Sequence, residues 1–533
     1  MLKKLVNHHF AIPVIGLVLL IPALLINLGK LNIFMAVDEA TRGLVALEMM
    51  IRGNYITPTI NGEFYYNKPP LFNWILIVFF KVFGISEFSQ RLPGVISLVG
   101  MGLSIYYFVG KELGRRIGII TAFAFVTSGR ILFWESLLGY IDITFAWVVY
   151  LGIMFTIKLL REKKFLQLFV VSYLFMTLGY FLKGLPAIVF QGITLLVTFI
   201  AEKQFRMLFS WRHLAGGSVF LVISGIYYLA YNQYNSLDVL FRSIWNESVH
   251  RTPLQESNLF KYKHLILFPF EMSYHYFPWS VLLVLLFRRG FWKMVFKNTF
   301  LKLNLFVFFF NLLPYWTSPD VFPKYIMMLV PLIFTVAVYN FFEQEAGIRP
   351  LVIEIVFLTV TGLLIAGLII IPFLPQFYVT EHVVFKSVIL IMVMIFLMYL
   401  MVRFKAQRLV LFVLVLVISR FALDWFVWPQ RASSYQQFES DAIQVARITG
   451  KEPVNYYGAP MLQYGASYVI SKEKWDVVGQ ERNDPKPNIF YITDNTGLEK
   501  IRRKFGIPKI YFTYPNVEDG RDLHLLKISP PER

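Results

Sequence analysis

Cysteine is absent from the 533 residues. That excludes disulfides, thiolate metal sites and a cysteine nucleophile. Acidic residues are few, 33 Asp and Glu against 51 Lys and Arg, which leaves a net charge of +18. Charged residues of both signs make up 16% of the chain, while hydrophobic residues make up 57% and aromatics 17%. Such a composition is too apolar for most water-soluble domains. There is no nucleotide-binding glycine fingerprint, no His-x-x-x-His pair, no internal repeat and no low-complexity tract. The positive excess does not read as a nucleic-acid surface. The basic residues sit in short loops between apolar runs, where the positive-inside rule places them in a membrane protein.

What the chain does have is apolar runs. Windows of about 19 residues select 10–29, 92–110, 117–134, 138–159, 165–182, 185–201, 214–231, 270–287, 299–317, 323–341, 350–373, 384–403 and 408–428. The expectation is an α-helical polytopic membrane protein of about thirteen spans. The opening MLKKLVNHHF and the apolar run behind it look like an uncleaved signal anchor. Residues 71–83 are apolar but too short to span, so they read as a re-entrant or interfacial helix.

Loop charges orient these spans. With Lys3 and Lys4 in the cytoplasm, the loops at 111–116, 158–164, 202–213, 288–297 and 403–408 are all basic and cytoplasmic; EQEAGIR at 343–349 is the weak case. The opposite short loops, such as 135–140 and 317–322, carry almost no Lys or Arg. The loops at 30–91 and 232–269, and everything after 429, then lie outside. Composition turns polar at about 430. NIFYIT (488–493) and KIYFTY (509–514) read as strands, and 441–449 and 496–506 as helices. The domain reading is therefore a membrane domain over 1–429 and a small soluble α/β domain over 430–533 on the outer face.

The outer loop 30–91 holds the densest chemistry. Asp38 and Glu39 precede Ala40, Leu44, Leu47 and Ile51 at helical spacing, with Gly53-Asn54 as a stop. Asp38 is thus placed at a helix N-terminus, where aspartate is a good cap. Capping also fixes a carboxylate for catalysis, so both roles stay open. Tyr65, Tyr66, Asn67 and Lys68 lead into Pro69-Pro70, which forbid helix and present Lys68 from a stiff turn. A snorkelling lysine in an aromatic belt is the plainer alternative. The topology adds residues at outer span ends: Asp142, Lys183, Arg130, Lys324 and Tyr325, with Glu247, His250 and Arg251 in the 232–269 loop. Acids and cations on one membrane face suit an anionic lipid headgroup, with cations on its phosphate and a carboxylate acting on its partner. Arg420 and Asp424 read as an ion pair within one span.

Asp-Glu after the first span, then G-N-Y-x-x-P, Y-Y-N-K-P-P-L-x-x-W, F-G and R-L-P, resembles the membrane glycosyltransferases of the GT-C class. The pattern is similar to the lipid A aminoarabinose transferases and the protein O-mannosyltransferase (family 39) group. It is strong over about 37–94, reasonable to about 340, and fades beyond. The resemblance implies catalytic roles for Asp38, Glu39 and Asp142. It implies donor-phosphate binding by Lys68, Lys183, Tyr65 and Tyr325, with Arg251 a looser match; Arg130, Glu247, His250 and Lys324 are further candidates. The relatives carry a metal-ligating glutamate just before the Lys-Pro-Pro lysine. Asn67 stands there instead, and its amide is a poorer ligand, so the one cofactor the resemblance raises, a divalent metal, has a weakened site.

The expected activity is transfer of a sugar, of hexosyl or pentosyl type, from a polyprenyl-phosphate donor to a lipid A-like lipid, another glycan or a protein. The expected place is the outer face of a bacterial inner membrane, with the N-terminus cytoplasmic and the C-terminal domain periplasmic. A transporter, flippase or ligase for lipid-linked sugars is the alternative; a transporter would carry its charges near mid-membrane.

Overall fold

The structure, a computed structural model, describes residues 11–30, 32–35, 37–250, 258–318, 321–343, 351–378, 380–458, 463–517 and 519–528. Two compact units divide the chain. One comprises Met1–Leu28, Gly94–Tyr228 and Arg242–Gln430; the other comprises Gly29–Pro93, Leu229–Phe241 and Arg431–Arg533.

The first unit is a helical bundle. Among the described residues, nine helices of the chain are long and apolar enough to cross a membrane, or ten if the bent pair Arg115–Val126 and Gly129–Leu137 is one span. These ten correspond to ten of the thirteen expected stretches. The other three differ. Ile12–Leu25 and Pro186–Ala201 are apolar helices of lesser length. The stretch 270–287 is not one helix: Asn258–His275 ends and a 3₁₀ segment, Trp279–Phe287, follows Pro278. Proline has no N–H to continue the ladder. At about 2 Å per residue the 3₁₀ segment falls well short of a bilayer core of about 30 Å.

Hydrogen bonds hold this break against its neighbours. The Gly129 N–H donates to the Phe277 carbonyl at 2.8 Å, and a Cβ at Gly129 would lie 2.7 Å from that oxygen. Trp279 Nε1 donates to Thr127 Oγ1 at 2.8 Å, and the Tyr276 hydroxyl to the Pro323 carbonyl at 2.7 Å. The segments near 128, 277 and 323 are thereby fixed to one another. Arg420 and Asp424 do pair, at 3.0 Å, and Arg420 also donates to Ser136 Oγ at 2.9 Å and to the Leu132 carbonyl. Asn27 Nδ2 donates to the Asp424 carbonyl at 2.7 Å. This buried network ties the helix Arg408–Ala422 to the segment 129–137 and to Asn27.

The second unit is α/β. The helix Val37–Arg52 ends where expected, at Gly53, whose φ of +65° suits glycine. A hairpin follows: β1 (Thr59–Ile60) pairs with β2 (Glu63–Phe64) across Asn61-Gly62, both at positive φ. That dipeptide is the preferred two-residue hairpin turn. The short apolar helix Leu71–Phe83 begins directly after Pro70 and is 13 residues long. At 1.5 Å per residue it reaches about 20 Å, too short to span.

The C-terminal part has β3 (Val454–Tyr457), β4 (Gly479–Glu481), β5 (Phe490–Asp494), β6 (Lys509–Pro515) and β7 (Asp522–Lys527) in the order β4-β3-β5-β7-β6. β3 runs parallel to β4 and β5; β7 is antiparallel to β5 and β6. The expected strands at 488–493 and 509–514 are β5 and β6, and the expected helices are Gln436–Thr449 and Asn495–Phe505. The helix Tyr464–Lys474 packs on Val37–Arg52. Gly465 lets Phe34, in the 3₁₀ turn Ile33–Met35 ahead of Val37–Arg52, pack closely, since a Cβ there would meet the Phe34 ring at 2.8 Å. Asn61 Nδ2 adds bonds to Ser467 Oγ at 2.8 Å and the Val478 carbonyl at 3.2 Å.

Candidate functional site

In the second unit, Asp38 lies exposed in the first turn of Val37–Arg52, where the amide dipoles favour a carboxylate. Glu39 has a different situation. Arg91 holds it bidentately, Nε to Oε1 at 2.6 Å and Nη2 to Oε2 at 2.9 Å, with both side chains fully buried. Gln90 Nε2 donates to the Glu39 carbonyl at 2.7 Å. Glu39 therefore anchors the start of the helix, and Asp38 is the carboxylate of the pair left at the surface.

Glu48, which the sequence reading passed over, anchors the other end. It is buried and accepts from Thr59 Oγ1 at 2.7 Å, the Asn61 N–H at 2.6 Å and the Gly62 N–H at 3.3 Å. Burial pushes its carboxyl above the ordinary value, and the bonds from Thr59, Gly62 and Asn61 oppose the shift. The raised value favours the protonated form in the fold. Its contribution to stability is present below the ordinary carboxylate range and is lost as pH rises through the raised value. Replacing Glu48 with Ala strips the hairpin's acceptor and leaves buried donors unpaired. Thermal melting of the detergent-solubilised protein should report a loss of about 2–4 kcal/mol, and Glu48→Gln should remove the pH dependence.

The hairpin delivers the Tyr-rich segment. The Tyr65 N–H donates to the Pro58 carbonyl at 2.9 Å. The buried Tyr65 hydroxyl accepts from Arg42, whose guanidinium carbon lies 4.9 Å from the Tyr65 ring centre. The Tyr66 hydroxyl accepts from Asn235 Nδ2 at 3.1 Å. Asn67 is exposed and Lys68 half-buried at the bend before Pro69-Pro70.

In the first unit, a second cluster forms at helix ends. Asp142 opens Ile141–Arg161 and Lys183 closes Phe165–Lys183. Their side chains form a close, nearly buried ion pair, and Lys324 Nζ lies 3.9 Å from the other Asp142 oxygen. The Lys183 ammonium sits 4.4 Å above the Tyr325 ring, and Lys324 sits 4.5 Å above the Tyr140 ring. Four residues selected by topology, Asp142, Lys183, Lys324 and Tyr325, are thus brought together from three separate helix ends. Arg130 is close by in sequence and pairs with Glu135 at 2.7 Å. Glu135 was missed. It is fully buried, and its second oxygen has no hydrogen-bond partner. A carboxylate inside the apolar run ILFWESLLGY was the available signal.

Glu247 and His250 fall in the helix Leu237–His250, with their side chains outside the described residues, as is Arg251 altogether. Among the described residues no three His, Asp or Glu side chains group as a metal site. Asn67 stands, exposed, where the resemblance implies a carboxylate ligand, and its amide is a poorer donor for a divalent ion.

Comparison with solved structures gives a match along nearly the whole chain. The crystal structure of ArnT from Cupriavidus metallidurans bound to undecaprenyl phosphate superposes with a TM-score of 0.70 at 16% identity, covering 97% of this chain and 99% of that one. The chain has an ArnT-like GT-C fold. It is a multi-span membrane protein of that type. The profile of the dolichyl-phosphate-mannose-protein mannosyltransferase family matches residues 67–228, which include Lys68, Asp142 and Lys183. Among curated proteins, an uncharacterised protein of Aquifex aeolicus is 34% identical over 90 residues, 17% of this chain and 22% of that protein. A second Aquifex aeolicus protein, also uncharacterised, is 24% identical over 319 residues, 59% of this chain and 61% of that protein. An undecaprenyl phosphate-alpha-4-amino-4-deoxy-L-arabinose arabinosyl transferase of Shewanella sediminis is 31% identical over 102 residues, 19% of this chain and 18% of that protein. The chain thus spans between 18% and 61% of the length of these curated relatives.

Proposed function

We propose that this protein is a glycosyltransferase that moves one sugar from a polyprenyl-phosphate donor to an acceptor at the outer face of a bacterial inner membrane. The observation that carries the reading is the Asp142–Lys183–Lys324 cluster, set on a fold shared with ArnT crystallised bound to undecaprenyl phosphate. In the reaction the bond from the sugar's anomeric carbon to the phosphate oxygen breaks, and a bond to the acceptor oxygen forms. Negative charge grows on the departing polyprenyl phosphate. The sequence resemblance makes Lys68, Lys183 and Arg251 the candidates to stabilise it, with Tyr65 and Tyr325 as further candidates. Asp142 holds Lys183 and Lys324 in place. Asp38 orients the acceptor and takes its proton when that group is a hydroxyl; an ionised phosphate acceptor needs no base. Glu39 keeps Asp38 in position through Arg91. The transferred group is of hexosyl or pentosyl type.

The same reading puts the N-terminus in the cytoplasm and residues 430–533 in the periplasm, with 1–429 as the membrane catalytic part and 30–91 as its principal outer loop. A transporter or flippase is the weaker reading. Asp142 and Lys183 lie in the first and last turns of their helices rather than midway, where a translocation path would place them.

The test is transfer from a radiolabelled polyprenyl-phosphate sugar to extracted membrane lipids and envelope glycans. Asp38→Asn and Lys68→Ala should each lower the rate by about a hundredfold. Full activity in either variant would sink the assignment of these residues. Mass spectrometry of envelope lipids and glycans, with and without the gene, names the sugar and acceptor.

A further inference from the structure

Arg42 is a buried cation without an anion. The residue is 7% exposed. Nη2 donates to the Tyr65 hydroxyl, and the guanidinium rests against the Tyr65 ring. Nη1 is buried and has no hydrogen-bond partner. Among the described residues no carboxylate forms an ion pair with it. The contrast lies within the same unit: Arg91, also buried, is neutralised bidentately by Glu39.

An unpaired buried charge is costly, and an unmade hydrogen bond adds to that cost. A folded chain keeps such a group where a ligand supplies the missing partner. The position agrees. Arg42 follows Asp38 by four residues on one helix, so the two stand on the same face one turn apart. The Tyr65 hydroxyl takes a bond from Nη2, which leaves Nη1 buried with its N–H donors unmet. A guanidinium so arranged suits a phosphate oxygen better than an ammonium would.

We propose that Arg42 Nη1 receives a phosphate-ester oxygen of a lipid substrate, with Tyr65 positioning the guanidinium. This rests on the transferase reading above and adds a residue to it. The chemistry has two sources, the donor's polyprenyl phosphate and a phosphate on an acceptor lipid. Because Nη1 is covered in the unliganded chain, binding displaces the groups over it and the bond forms out of water, where it is strongest.

The experiment uses the full-length protein in detergent and measures affinity by ligand-induced thermal shift. The probes are undecaprenyl phosphate, lipid A, and undecaprenol as the uncharged control. The variant is Arg42→Gln, which retains a donor for Tyr65 and removes the charge; Arg42→Met carries the same test if that variant fails to fold. The expected result is stabilisation of the wild type by a phosphate lipid and not by undecaprenol. Affinity for that lipid should fall roughly ten- to hundredfold in the variant. The melting temperature of the unliganded variant should stay at or above that of the wild type. A loss confined to undecaprenyl phosphate assigns Arg42 to the donor, and a loss confined to lipid A assigns it to the acceptor. A variant that binds both lipids as tightly as the wild type overturns the proposal, as does one that melts lower with unchanged affinity, since Arg42 would then only support Tyr65. A wild type indifferent to both lipids overturns the transferase reading itself.

Discussion

Replacing Lys183 with Met should lower sugar transfer by about a thousandfold, the upper end of what one preorganised charge stabiliser supplies. Lys183 is nearly buried between Asp142 and the Tyr325 ring, so its ammonium is poorly screened by water and is held without reorganisation when charge develops on the phosphate. The substitution also has a structural cost. It leaves Asp142 buried with the Lys324 ammonium 3.9 Å from its second carboxylate oxygen. Melting should therefore fall as well, which alone would leave the activity loss ambiguous. The double variant Asp142→Asn/Lys183→Met separates the two effects. With both charges gone, no carboxylate is stranded, so the melting temperature should recover most of its loss while transfer stays abolished. Recovery of activity together with stability would show that the pair only supports the fold.

Replacing Arg91 with Met is expected to be the most destabilising single change in the second unit. Glu39 would remain fully buried with its two charge-assisted bonds removed, and breaking one side of such a pair costs about 3–5 kcal/mol. The melting temperature in detergent reads this directly. Glu39→Gln/Arg91→Met should restore a large part, because two neutral side chains of similar volume carry no stranded charge. Transfer should fall in the single variant even at temperatures where it is folded, since the helix turn bearing Asp38 loses its tie to the helix Glu87–Leu113. A single variant with unchanged melting would mean that the Glu39–Arg91 pair adds nothing to stability, contrary to the burial of both side chains.

These two pairs also show where sequence reasoning stops. Asp38 and Glu39 are adjacent and chemically near-equal in the sequence, and both were candidates for catalysis. One lies at the surface and the other is consumed by Arg91, 52 residues away. Nothing local distinguishes them, because the difference lies in which face the neighbouring helix covers. Lys183, Asp142 and Lys324 were each weak as single charges at span ends; loop-charge alternation placed them on one side, but only packing made them an ion pair. Glu135, Glu48 and Arg42 escaped notice for the same reason. Glu48 is held by a hairpin further along the chain, and Arg42 Nη1 and one Glu135 oxygen have no partner; neither condition leaves a periodic trace.

What the sequence determined by itself is what local chemistry controls. Apolar runs forced helices where water cannot satisfy the backbone, and glycine at 53 and proline at 70 set element boundaries through φ and the missing N–H. Alternating runs near 490 and 510 made strands, and the motif from Asp38 to Lys-Pro-Pro marked the fold class. What only the tertiary structure decided is the strand order β4-β3-β5-β7-β6, the break at Pro278 within an apolar run, and the partner of every buried charge. Those outcomes depend on which surfaces meet, since a buried charge is held by the counter-charge, hydrogen-bond donors or ligand that the fold brings to it.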